Sequence, residues 1–182
     1  MIDPGQRTVR EAMTHSVLGI SPGTSVAEAL GVAREHGVSH LPVVADGHAI
    51  GVVCTCDLEE SVGGTDVSAI MHAPPVEIEA DRTLAQAAVR MAGSGVGSLL
   101  VQSNHQLAGI LTRTDLEHLG INAEVFGARR CSVCGSPQHV QLRACCGRLM
   151  CSSCRAAQTG VGPARVTRSR SGAPGTTPHA RK

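Results

Sequence analysis

Shifted by 58 residues and laid on itself, the chain matches without a gap. Val9 falls on Val67, Met13 on Met71, Ile20 on Ile78, Ala29 on Ala87, Gly37 on Gly95, Leu41 on Leu99, Gly51 on Gly109, and Asp57-Leu58-Glu59 on Asp115-Leu116-Glu117. An unbroken register of this length points to two copies of one supersecondary unit. A unit this small cannot bury its apolar face alone, so the two must pack together.

Each copy carries the same local signals. A short extended piece (residues 18–20 and 76–78) leads to a capping hydroxyl, Thr24 or Ser25 in the first copy and Thr83 in the second. Apolar residues at helical spacing follow: Val26, Ala29, Leu30 and Ala33, then Leu84, Ala87, Ala88 and Met91. Gly37 and Gly95 close those helices. Two β-branched strands come next in each copy, joined by Asp46-Gly47 and by Asn104-His105. A short helix begins near Asp57 and near Asp115. The expected fold class is α/β (α+β): two β-α-β-β-α repeats, at residues 7–62 and 65–122, packed about a pseudo-twofold axis.

Composition narrows the function classes. Of 182 residues 42% are hydrophobic and 17% charged, with no Trp or Tyr and one Phe, Phe126. The core must be aliphatic, and an aromatic platform for stacking bases is excluded. The apolar runs are strand-sized, far short of the roughly 20 residues of a membrane helix. The first ten residues lack the apolar stretch of a secretory signal, so a cytoplasmic setting is expected.

The pattern resembles the CBS domain, and two in tandem look like a Bateman module. The residues that carry the resemblance are Glu11-Ala12-Met13, residues 37–44 (Gly-Val-Ser-His-Leu-Pro-Val-Val) and residues 109–115 (Gly-Ile-Leu-Thr-Arg-Thr-Asp). The resemblance implies that adenosine-containing nucleotides of the AMP, ATP or S-adenosylmethionine class sit between the repeats. It also implies a homodimer and a regulatory role; with no nucleophile elbow, no phosphate loop and no second carboxylate placed against Asp115, a non-enzymatic chain is expected. Carried onto this sequence, the family's Gly-h-h-Thr/Ser-x-x-Asp motif (h apolar) nominates Thr112 and Asp115, with an adenine pocket around Val76 and Leu99. A carboxylate can accept from two vicinal ribose hydroxyls, which gives this assignment a physical basis. Copy one departs from the motif, with Cys54 in place of the hydroxyl three residues before Asp57. A thiol hydrogen-bonds poorly, so one good site and one impaired or empty site by Asp57 are expected. His40 stands where many members carry a phosphate-binding Arg, and Ser98 occupies the matching position in copy two. Asp57 and Asp115 could instead simply cap their helices. Cys54 and Cys56 read as small buried fillers rather than a redox pair.

Residues 127–159 form a different unit. Cys131/Cys134 and Cys151/Cys154 are two Cys-x-x-Cys pairs with sixteen residues between them, spacing that suits a tetrahedral four-thiolate zinc site; iron also fits four thiolates. A hairpin strand over residues 139–142 and a helix over 152–157 make the segment resemble a zinc ribbon or treble clef. Cys146 to Cys154 also looks like half of a RING finger, but Arg148 replaces the expected His and no Cys follows Cys154. Cys145 and Cys146 remain, either as a substitute ligand or as redox-sensitive spare thiols. His139 reads as a surface side chain. A disulfide cluster is the alternative, disfavoured in a reducing compartment.

Charge is divided just as sharply. Residues 1–124 hold all fifteen acidic side chains and six of the sixteen basic ones, a formal −9, while residues 125–182 hold ten basic residues and no acid. Residues 160–182, rich in Gly, Pro, Ser, Thr and Arg, read as a disordered basic tail. The basic region could meet a polyanion such as nucleic acid or a ribosome, meet an acidic protein, or fold back on the acidic repeats. The leading expectation is a sensor of an adenosine ligand that contacts a partner through its finger. A redox or metal sensor built on the cysteines is the alternative, and a ligand-free scaffold is a third.

Overall fold

The computed structural model describes residues 3–61, 64–122, 130–143 and 148–158. Copy one contributes helix α1 (Val26–Glu35), strands β1 (His40–Ala45) and β2 (His48–Cys54), and helix α2 (Thr55–Glu60). Copy two contributes β3 (Glu77–Glu79), α3 (Leu84–Ser94), β4 (Ser98–Ser103), β5 (Gln106–Thr112) and α4 (Arg113–His118). The finger supplies β6 (Val140–Arg143), β7 (Arg148–Cys151) and α5 (Ser152–Gln158). The tail at 160–182 and the Cys145-Cys146 pair lie outside the described residues.

Local chemistry explains where these elements start and stop. Ser25 accepts from the Glu28 amide and Thr83 from the Gln86 amide, so α1 and α3 both begin on a hydroxyl cap. Both strand hairpins turn through left-handed pairs, Asp46-Gly47 and Asn104-His105, whose twist matches the flanking strands. In copy two β3 runs parallel to β4, and β4 antiparallel to β5. In copy one the equivalent first strand shrinks to a single parallel bridge between Ile20 and Val43.

The leading segments of the copies are exchanged. Val9 and Met13 are buried with Ile78, Leu84, Leu99, Leu111 and Leu116 of copy two. Val67 is buried with Ile20, Ala29, Leu41 and Leu58 of copy one. Thr14 and Ile110 trade backbone hydrogen bonds at 2.9 and 3.0 Å, and Val52 and His72 do the same at 3.0 and 2.8 Å. Gly51 and Gly109 permit this crossing: a Cβ on either would lie 2.7 Å from the sulfur of Met71 or Met13 respectively. Val52, Leu100 and Ile110 fill the space between the two sheets. The halves are therefore interlocked, and each buried Leu or Met adds about 1.5–3 kcal/mol of burial.

The finger docks on this pair. Leu149 of β7 donates its amide to the Gly95 carbonyl at 2.8 Å. Gly95 is the left-handed C-cap of α3 (φ 68), and a Cβ there would lie 2.2 Å from the Arg130 carbonyl oxygen. One glycine thus ends a helix and admits the finger backbone. Among the described residues no helix is long and apolar enough to cross a membrane.

Candidate functional site

The two copies of the motif occupy equivalent places. Each lies at the end of the second strand of its hairpin, with His40 opposite Cys54 and Ser98 opposite Thr112. Each aspartate then falls in the first turn of the short helix that follows.

In copy two the geometry is local. The Asp115 Oδ2 atom accepts from the Thr112 amide and from the Thr112 hydroxyl, both at 2.7 Å. The Thr112 hydroxyl accepts in return from the Asp115 amide at 3.4 Å. This reciprocal cap starts α4 and leaves both side chains half-buried.

In copy one the same position faces elsewhere. Cys54, the residue before α2, makes no cap bond to the helix; its thiol donates instead to Asp57 Oδ2 at 3.0 Å. His72 Nε2 lies 2.7 Å from that oxygen and Arg148 Nη1 3.3 Å, and Arg143 Nη1 donates to Oδ1 at 2.8 Å. Arg143 also reaches Glu60 at 2.5 Å, and Arg148 Nε donates to the Ser132 hydroxyl at 2.8 Å. Arg148 Nη1 also meets His72 Nε2. Asp57 is 8% exposed, and the side chains of Arg143 and Arg148 are 5% and 6% exposed. Burial alone would raise the Asp57 carboxyl. The hydrogen bonds from His72 and Cys54 and the adjacent Arg148 charge outweigh it and hold the group well below the usual carboxylate range.

A cavity of about 170 Å³ adjoins this cluster, lined in part by His40, Cys54, His72, Val76, Ser98 and Arg148. Val76 thus faces the copy-one cleft, whereas Leu99 is fully buried in the copy-two core. An open groove of about 830 Å³ runs along α3 and β3, and neither cavity is lined by Thr112 or Asp115.

The finger brings Cys131, Cys134, Cys151 and Cys154 together, with all four sulfurs within 4.8 Å of one another. The Cys134 and Cys151 sulfurs are 3.7 Å apart. Zinc–sulfur bonds of about 2.3 Å in a tetrahedron require sulfurs roughly 3.8 Å apart, so the set fits such an ion. Cys131 anchors the knuckle: its amide donates to the Ser136 carbonyl and its carbonyl accepts from Gly135. Burial raises its thiol, but hydrogen bonds from the backbone of Cys151, Cys134 and Val133 dominate and lower it to about 6. Burial and the neighbouring sulfurs push the Cys154 thiol up.

Cys56 departs from the reading as a simple filler. It is 4% exposed and disulfide-bonded. Cys54, equally buried, is a free thiol, so the two are not bonded to each other.

Sequence reasoning missed Arg143, Arg148, His72 and Gly95 as contributors to one cluster. Only the Cys54-for-Thr substitution hinted that copy one differs. The two arginines read as ordinary members of a basic segment, though folding back on the acidic repeats was among its expected fates.

Comparison with known proteins fits this architecture. The CBS domain family model matches residues 9–63 and 67–119, more than half of the chain. An inosine-5'-monophosphate dehydrogenase of Korarchaeum cryptofilum is 32% identical over 102 residues, covering 55% of this chain and 21% of the relative. The chain spans only a fifth to a third of the length of that relative and of an uncharacterised Methanocaldococcus jannaschii protein. The structure of CBSX2 in complex with AMP superposes with a TM-score of 0.55 at 28% identity, covering 62% of this chain and 95% of the other. The CBS pair of MJ0100, solved with 5'-methylthioadenosine and S-adenosyl-L-methionine, gives a TM-score of 0.60 at 19% identity, covering 63% and 95%. Interlocked repeats, paired motif positions and a family match across both copies make this chain a member of the CBS domain family, a tandem pair carrying a C-terminal four-cysteine finger.

Proposed function

We propose that this chain is a non-catalytic regulatory protein in which the CBS pair binds an adenosine-containing nucleotide and the finger conveys the bound state to a partner. The observation that carries this reading is the likeness to CBSX2, a protein solved with AMP, over the whole repeat region. Thr112 and Asp115 are the expected polar contacts of the better site. The described bonds on the Asp115 carboxylate fall on Oδ2, so Oδ1 is the atom we assign to a ribose hydroxyl. His40 and Val76 line the second cleft. The four cysteines hold zinc, or iron, as a structural ion that keeps the finger folded. We further expect a cytoplasmic homodimer. Titration of the full chain with AMP, followed by calorimetry and native mass spectrometry, tests this reading. Saturable binding lost in Asp115→Ala supports it, and the absence of binding by AMP, ATP and S-adenosylmethionine rejects it.

A second reading is a redox sensor, favoured by a chain that carries both a disulfide at Cys56 and a four-cysteine cluster. Metal release by low-dose peroxide, without any response to nucleotide, would select it. A contact between residues 125–182 and nucleic acid would draw on the same basic segment, of which Arg143 and Arg148 are already committed to Asp57 and Glu60.

A further inference from the structure

Cys54, His72, Arg143 and Arg148 converge on the Asp57 carboxylate, and the two arginines arrive from the finger, 86 and 91 residues away in sequence. A carboxylate offers about four lone-pair directions, so this acceptor is committed. A guanidinium presents N–H donors to a carboxylate much as vicinal hydroxyls present O–H donors. Neither arginine is there by accident of a loose surface: Arg143 is also tied to Glu60 and Arg148 to Ser132, and both are nearly fully buried. The finger backbone is seated separately, through Leu149 on Gly95. The space left beside Arg148, about 170 Å³, is below the roughly 300 Å³ at which small-molecule pockets begin. Two guanidiniums face two carboxylates here, so both arginines are already paired with acids of the chain itself.

We propose that the four-cysteine finger is a built-in competitor for the copy-one cleft, with Arg143 and Arg148 holding the carboxylate that an adenosine ligand would need there. This rests on the reading that the pair takes such a ligand. The ligand enters at Asp57 only when the finger lifts away. By linkage, a ligand at Asp57 and a docked finger weaken each other by the same factor. Occupancy of this cleft therefore frees the edge of β7 that rests on Gly95, and the finger can then engage a partner.

The test uses the full, metal-loaded chain, with the Cys56 disulfide reduced, and AMP and S-adenosylmethionine as probes, read by calorimetry and by amide exchange at Leu149. The expected result is a binding event in the Arg143→Gln/Arg148→Gln variant that is absent from the wild type or about tenfold or more tighter than its counterpart there. Gly95→Ala should act alike, because it obstructs finger seating and so draws Arg143 and Arg148 off Asp57 without altering either side chain. High AMP should speed Leu149 exchange in the wild type. Equal stoichiometry and affinity in all three proteins, with binding abolished by Asp115→Ala, overturns the competitor alone. Two sites in the wild type with Leu149 still protected overturns it as well. No binding to any of the proteins overturns the adenosine reading and the competition with it.

Discussion

Asp57 and Asp115 sit 58 residues apart at the same place in the same fold, yet they have opposite company. Asp115 bonds to its own helix cap, whereas Asp57 bonds to a histidine of the other copy's leading segment and to two arginines of the finger. The local cause is one atom. Thr112 offers a hydroxyl that both donates to and accepts from the first turn of α4, while Cys54 at the equivalent position donates only through its thiol. A weaker local cap leaves the copy-one carboxylate available for long-range partners. A duplicated backbone does not duplicate a site; the atoms at two or three positions decide whether a carboxylate serves a helix, a ligand or another part of the chain.

The largest expected effect separates the clefts by removing the finger's support. Chelation, or Cys131→Ser with Cys151→Ser, should unfold the finger, because structural zinc supplies on the order of 10 kcal/mol of folding free energy in such units. Elemental analysis and amide exchange should show loss of the metal and of finger protection, with the copy-two core still protected. Next, Asp57→Ala strands two buried guanidiniums and should cost about 3–5 kcal/mol in urea unfolding. Asp115→Ala removes only a cap and should cost about 1 kcal/mol. Equal losses would erase the distinction drawn between the copies.

The same contrast has a pH signature. The Asp57 carboxyl is lowered from an unfolded value of 3.8. Its contribution is therefore fully present above that pH and is lost as the pH falls through the lowered folded value. Thermal melts of the wild type should fall more steeply between about pH 4 and 2 than those of Asp57→Asn. Smaller is the effect of the paired glycines. Gly37→Ala places a side chain in open space at φ 63 and should cost about 1–2 kcal/mol of left-handed strain. Gly95→Ala adds a backbone clash to that strain and should cost more, with selective deprotection of Leu149. Smallest of all, Cys54→Thr should stabilise α2 by up to about 1 kcal/mol by restoring a hydroxyl cap.

Much of this fold was legible in the sequence because it repeats. Helical spacing, hydroxyl caps and left-handed turn pairs are short-range signals, and the two copies vouch for each other. The four-thiolate cluster was equally legible, since two Cys-x-x-Cys knuckles constrain their own geometry. The exchange of leading segments was not, because Val9 and Val67 carry apolar character but no address. Leu99 was placed near a ligand by family likeness, and its side chain belongs to the copy-two core. Arg143 and Arg148 were invisible as site residues: a basic side chain in a basic segment carries no mark of the carboxylate it will meet.

The sequence by itself determined the duplicated frame, the cysteine knuckles and the substitution that distinguishes copy one, because each depends on residues a few positions apart or on a fixed repeat. Tertiary structure alone decided which carboxylate would be filled. That outcome depends on a hairpin more than 80 residues downstream seating on one helix-ending glycine, and it is this seating that carries two buried charges to Asp57.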